Sequence, residues 1–78
     1  MSDIVLTINT NFDWTININV KTTYTIEMVK CVLYGKLDMP PERQVLLIGR
    51  DRLFDRATLE DYEIYKDASV DILFLDVD

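Results

Sequence analysis

Few side chains of this 78-residue chain could do chemistry. It has no histidine, and its single cysteine, Cys31, has no histidine or amine base three or four residues away that could deprotonate it. It also lacks a glycine-rich phosphate loop and three carboxylates at metal-ligand spacing. A Cys/His zinc site is therefore excluded. We expect a protein that is not an enzyme and that takes no cofactor or metal.

The charge of the chain limits the classes of molecule that it is expected to bind. The formal net charge is −6 at pH 7, which disfavours nucleic acid and an anionic membrane surface, because both require a basic footprint. The charges are unevenly placed: residues 60–78 hold seven acids and one base, whereas all four arginines lie between Arg43 and Arg56. Each cluster is either a solvated surface or an arrangement that selects protein partners electrostatically.

The residues of the chain also show no membrane-spanning or secretory segment. No apolar run approaches the roughly 18 residues that a membrane span needs, and the first residues do not form a secretory signal. A single thiol cannot form an intramolecular disulfide and fits a reducing compartment. We expect an intracellular protein of the cytoplasm, the nucleus or both.

Hydrophobic periodicity predicts the elements that would position any site. Alternating apolar residues predict two N-terminal strands, one with Ile4, Leu6 and Ile8 and one with Ile16, Ile18 and Val20. Thr25 is a predicted N-cap for a helix with an apolar stripe, which must end near Pro40. A short strand before Gly49, a helical turn after Thr58 and a last strand from Val70 follow.

This order of elements predicts the α+β class, with one mixed sheet packed against one α-helix. Residues 25–72 carry a helix start TIE-x-VK, a turn PP-x-x-Q, two short strands around a glycine, and then TL-x-DY-x-I-x-K. In order and spacing these motifs resemble the ubiquitin family. The resemblance implies a ubiquitin-like β-grasp fold for residues 1–78 as a single domain, which we expect to be part of a longer protein.

The resemblance also implies two structural contacts. Lys30 stands where the family has a partly buried helix lysine, and Asp55 stands where it has the carboxylate partner of that lysine. Tyr62 matches a tyrosine whose hydroxyl anchors the neighbouring loop. All three residues are expected to support the fold.

The binding site implied by the resemblance is the exposed face of the sheet. Its patch would use Leu47 and Leu73, with Gly49 in the turn between strands. Strand parity adds Val45 and Leu75 to the patch, which would make it contiguous and therefore typical of an interface. The complete set of expected partner-binding residues is Val45, Leu47, Gly49, Asp71, Leu73 and Leu75.

Other residues are secondary binding candidates. Arg50 and Arg52 would lie at the rim of the patch, and Phe12 and Trp14 form an aromatic pair in the predicted hairpin turn. An exposed aromatic pair on a loop could anchor a partner, or one ring could fold back over the sheet edge. Asp71 stands where the family has a histidine, so the patch should bind poorly to receptors that use acidic side chains.

The chain therefore reads as a non-catalytic ubiquitin-like interaction module of the ubiquitin–proteasome or an allied pathway, monomeric in isolation. Its expected partners are ubiquitin-pathway receptors, proteasome subunits, deubiquitinases or ligase components. Residues 75–78 are Leu, Asp, Val and Asp, whereas members of the ubiquitin family act through a C-terminal diglycine. Two alternatives stay open: a covalent modifier whose diglycine has been removed or lies beyond residue 78, and a mimic of ubiquitin.

Overall fold

The computed structural model describes residues 3–10 and 14–74. Its elements follow one another in the predicted order. The strands and the helix are β1 Asp3–Asn9, β2 Thr15–Lys21, α1 Ile26–Leu37, β3 Gln44–Ile48, β4 Asp51–Arg52 and β5 Ala68–Phe74. Short 3-10 helices at Pro41–Arg43 and Glu60–Tyr62 precede β3 and β5, respectively.

The five strands form one mixed sheet in the order β2-β1-β5-β3-β4. β1 and β5 pair in parallel at the centre, and the other neighbours pair antiparallel. The sheet packs against the single helix, so the predicted α+β class is confirmed and the arrangement is compatible with a β-grasp fold.

One face of the sheet and one stripe of the helix form the core. The alternation seen in the sequence sets the inward positions of β1 and β2, where Ile16 alone of the predicted residues is only half-buried. The buried core residues are Ile4, Leu6, Ile8, Ile18, Val20, Ile26, Val29, Leu33, Leu46, Leu53, Leu59, Ile64, Val70 and Ile72. No helix in the described ranges is long and apolar enough to cross a membrane.

The start of α1 is held by the loop that follows β4. The Thr25 hydroxyl accepts a hydrogen bond from the Met28 amide at 3.2 Å, which confirms the predicted N-cap. The amide of Ile26 donates to the carbonyl of Ala57 at 2.9 Å, and that of Glu27 donates to the carbonyl of Asp55 at 3.1 Å. Amides that a helix cannot satisfy internally are thus bonded to residues 55–57.

The end of α1 uses an aspartate instead of a glycine. Asp38 adopts φ 57 and ψ 32, and its amide donates to the Tyr34 carbonyl at 2.9 Å. Aspartate tolerates this left-handed geometry better than most residues. The helix therefore runs through Gly35 and stops just before Pro40-Pro41.

Candidate functional site

The candidate binding residues of β3 and β5 that the structure describes lie on the face of the sheet opposite the helix. In the pairing of β3 with β5, Val45 lies opposite Leu73 and Leu47 lies opposite Asp71. The intervening pair, Leu46 and Ile72, belongs to the core. Because alternate residues of a strand point to opposite sides, Val45, Leu47, Asp71 and Leu73 share the outer face. The predicted strand parity is confirmed for Val45, Leu47 and Leu73.

The exposure of this group is uneven. Leu73 is 44% exposed and Leu47 is half-buried, but Val45 is only 7% exposed. The prediction that Val45 is an exposed member of the patch is therefore wrong. Strand parity fixes the side to which a residue points, but it does not determine how tightly the surrounding chain encloses that residue. The accessible apolar surface is provided by Leu47 and Leu73.

Asp71 lies between the leucines of this face and the neighbouring strand β1. Its neighbour in β1 is Asn9, whose side-chain amide donates to the Asp71 carboxylate at 3.4 Å. A depression of about 220 Å³ opens at this point, with Asn9, Leu47, Asp71 and Leu73 in its lining. Its apolar walls suit an aliphatic side chain, and the carboxylate can accept hydrogen bonds from a partner.

The turn after β3 forms the rim of the outer face. Arg52 pairs with Leu47 across β3 and β4, which places the arginine on the same face as the leucine. Gly49 has φ 62, a left-handed conformation that L side chains rarely adopt, so it lets the chain reverse between the two strands. Arg50 is exposed in this turn.

Only one of the two hairpin aromatics can be placed. Trp14 is 43% exposed next to β2, and its carbonyl accepts hydrogen bonds from the Thr10 amide at 3.1 Å and the Thr10 hydroxyl at 2.8 Å. The Trp14 backbone is thus fixed while much of its ring is accessible. Phe12 and Leu75 lie outside the described residues.

The two expected structural contacts are present. The Lys30 ammonium lies 2.6 Å from the Asp55 carboxylate. The Tyr62 hydroxyl accepts a hydrogen bond from the Phe54 amide at 2.8 Å. Both contacts hold the chain that follows β4, one against α1 and one against the 3-10 helix Glu60–Tyr62.

Two features were missed by the sequence reasoning. Gln44 is 2% exposed, and its side-chain amide donates to the carbonyls of Lys30 at 3.1 Å and Met39 at 2.7 Å. Its only sequence signal was its place in the PP-x-x-Q turn. Phe54 is 70% exposed, and no periodic pattern marks an aromatic residue in a loop.

The part of the chain described here holds no group of three or more acidic or cysteine side chains placed to bind a metal ion. Cys31 is a free, exposed thiol on α1. A comparison with known protein families found no family model that matches the chain.

Proposed function

We propose that this chain is a non-catalytic, ubiquitin-like interaction module that binds protein partners of the ubiquitin–proteasome or an allied pathway through the outer face of β3 and β5. The observation that carries this proposal is the cross-strand register, which sets Leu47 opposite Asp71 and Val45 opposite Leu73. The register makes neighbours of two accessible leucines and one carboxylate.

The apolar content of this face supports a protein partner. Leu47 and Leu73 are diagonal neighbours across β3 and β5, and at roughly 7–8 Å such neighbours are close enough for their side chains to form one surface. Leu73 keeps 44% of its surface exposed and Leu47 is half-buried, so both can lose further apolar surface when a partner docks. An apolar centre with a polar rim, here Arg52 and Asp71, is the usual composition of a protein interface.

The charge of this face sets the kind of partner. Asp71 is exposed beside the leucines, and the chain as a whole carries a net charge of −6. Like charges across an interface reduce affinity, so the preferred partner presents a basic or hydrogen-bond-donating residue to Asp71. Receptors that read ubiquitin through carboxylates are predicted to bind weakly.

Several contacts support the ubiquitin-like assignment. The Lys30–Asp55 pair and the bond between the Tyr62 hydroxyl and the Phe54 amide are the two contacts that the sequence resemblance implied. Gln44, from the PP-x-x-Q motif, is buried and joins α1 to the segment that follows it through its bonds to the Lys30 and Met39 carbonyls. These contacts involve the motifs that carry the resemblance and not the alternating strands alone.

The proposal is tested by NMR with purified ubiquitin-receptor domains, chosen to include both acidic and basic binding surfaces. Each domain is titrated into the isotope-labelled chain, and amide shifts are followed. We expect shifts centred on residues 45–49 and 71–73, and at least about fivefold weaker binding for Leu47→Ala and Leu73→Ala, the usual effect of truncating a central interface residue. Met28→Ala is the matched control, because Met28 is 49% exposed on α1.

Two outcomes would contradict the proposal. One is that shifts centre on α1 around Cys31 and Tyr34, which would move the binding surface to the helix. The other is that none of the receptor domains produces saturable shifts, which would remove the ubiquitin pathway as the source of the partner.

A further inference from the structure

A groove of about 500 Å³ lies at the β4 edge of the sheet. It runs between the β3–β4 turn and the 3-10 helix Glu60–Tyr62, and its lining includes Ile48, Arg50, Arg52, Phe54 and Tyr62. Its size is in the range of sites that receive peptide side chains or small ligands. We call it the β4 groove.

The β4 groove has accessible apolar walls. Phe54 is 70% exposed and Ile48 is 37% exposed. The Phe54 backbone is held by its hydrogen bond to the Tyr62 hydroxyl at 2.8 Å, so the exposed ring extends from a fixed point of the chain. A partner that covers this ring would remove a large apolar area from water without first ordering the backbone.

The same segment carries unpaired positive charge. Arg50, Arg52 and Arg56 form no ion pair with any residue in the described ranges, where the Lys30–Asp55 contact is the salt bridge found. Two arginines, Arg50 and Arg52, and one acid, Asp51, line the β4 groove, while Arg56 lies in an adjoining depression that shares Arg52 and Phe54 with it. The lining therefore carries a net charge of +1, two positive charges against one negative, in a chain whose net charge is −6; of the neighbouring 3-10 helix only Tyr62 lines the groove, and the acids Glu60 and Asp61 do not.

We infer that the β4 groove binds an acidic segment of a protein partner, with one apolar side chain of that segment against Phe54 and Ile48 and its carboxylates on the arginines. Charge complementarity is the basis for this choice of occupant. Arginine suits it chemically, because the planar guanidinium pairs with carboxylates through two parallel hydrogen bonds.

A nucleic acid fits this groove less well. Three arginines neutralise few phosphates, and the acidic remainder of the chain would repel the rest of the strand. The groove also offers Phe54 as its one strongly exposed aromatic ring, whereas single strands bind to several rings in succession. A protein segment needs only one apolar anchor.

The β4 groove is separate from the Leu47–Leu73 face. Arg52 lies on the border, since it pairs with Leu47, but Arg50 in the turn and Phe54 after β4 line the groove. Variants of Phe54 and Arg50 therefore report on the groove, and variants of Leu47 and Leu73 report on the outer face.

The test uses a synthetic probe peptide with one central leucine flanked by glutamates, titrated into the isotope-labelled chain. We expect saturable amide shifts across residues 48–56 that weaken as salt is added. Phe54→Ala should weaken binding at least about fivefold. The double change Arg50→Glu and Arg56→Glu should weaken it at least about tenfold, because it replaces attraction by repulsion.

Matched controls separate the groove from general surface effects. Tyr65→Ala removes another exposed aromatic, 59% exposed, and Lys36→Glu with Lys66→Glu makes the same charge change elsewhere. Both should alter probe affinity less than the groove variants. Leu47→Ala should leave probe binding unchanged, so failure of this inference is distinguishable from failure of the proposed function.

Several results would overturn the inference. These are shifts centred on Leu47 and Leu73, equal binding of a peptide with lysines in place of the glutamates, and equal binding of a peptide with serine in place of the leucine. Tighter binding of an oligouridine would point to nucleic acid instead. Sedimentation showing that the chain self-associates, with loss of association in Phe54→Ala, would assign the groove to a second copy.

Discussion

Lys30 and Asp55 are paired at 2.6 Å, yet only one of them is buried: the lysine side chain is 6% exposed and the aspartate side chain is 51% exposed. The ammonium group is the member that depends on the contact, because it has little access to water, whereas the carboxylate can be hydrated on its open side. The pair therefore compensates a buried charge on α1 with a residue from the loop after β4.

Removal of the carboxylate should destabilise the fold. Asp55→Ala leaves the Lys30 charge without its partner, and we expect a loss of at least about 1 kcal/mol in the free energy of unfolding, below the full cost for a fully buried pair because Asp55 is half-exposed. Asp55→Asn keeps an acceptor oxygen and should lose less. Urea denaturation measures both. Asp51→Ala is the control, and an equal urea midpoint for Asp55→Ala and Asp51→Ala would refute the prediction.

Gln44 uses its side-chain donor but not its side-chain acceptor, so loss of the amide N–H should destabilise the fold whether or not an acceptor is kept. Its amide donates to two carbonyls, while its oxygen is buried and has no partner among the described residues. Gln44→Leu removes that oxygen but also takes a donor from the Met39 carbonyl and a second donor from the Lys30 carbonyl, which lies within α1, at about 1–3 kcal/mol.

Gln44→Glu keeps the shape but, when ionised, replaces the donor with a second acceptor that faces those carbonyls. It should be the less stable of the two variants at neutral pH, as measured by thermal unfolding. A leucine variant equal to or less stable than the glutamate variant would contradict this order, and unchanged stability in both variants would show that the donor does not contribute.

Val45 and Leu73 lie opposite each other, but their different burial predicts that Val45 contributes more to stability than Leu73 does. Val45→Ala removes methyl groups from a site that is 7% exposed, and should cost about 1–2 kcal/mol of stability. Leu73→Ala, at a site 44% exposed, should cost less than the valine variant although it deletes more atoms. Chemical denaturation of the two variants decides this, and the reverse order of stability would mean that the patch is arranged differently.

The charge of Asp71 should select among receptors. Asp71→Asn removes the negative charge beside Leu47 and Leu73, so receptor domains with acidic binding surfaces should bind the variant about two- to tenfold more tightly. Titration calorimetry with an acidic and a basic receptor domain makes the comparison. Glu42→Gln changes the net charge equally from an exposed site outside the strands. Gains of the same size for both variants would show that the effect comes from net charge alone.

The fold was predictable because each strand and helix is indicated by a pattern within its own short stretch of sequence. Ile4, Leu6 and Ile8 occupy every second position, and Thr25 is followed by apolar residues at helical spacing. These patterns indicate whether each segment is a strand or a helix and which of its sides is buried. The side on which Leu47 and Leu73 lie follows from the same parity once the strands are paired.

The remaining features depend on contacts between distant parts of the chain. Val45 has the strand parity of the outer face but is buried. No local pattern marks Lys30 as a paired lysine, and only the resemblance to the ubiquitin family implied Asp55 as its partner. Gln44 is polar and gives no periodic signal for a core position. The β4 groove arises where a turn, a loop and a 3-10 helix meet, so no local sequence pattern could specify its shape.

The hydrogen bonds from Ile26 and Glu27 to Ala57 and Asp55 also link the local opening of the loop at residues 55–57 to that of the start of α1. Residues 55–57 cannot separate from the helix without exposing the first amides of α1, so loop and helix start should open together as one cooperative unit. Hydrogen exchange at Ile26 and Glu27 would then report on opening of the loop. Because Phe54 lines the β4 groove and directly precedes the bonded carbonyl of Asp55, we expect that same rate to measure how often the groove loses its shape.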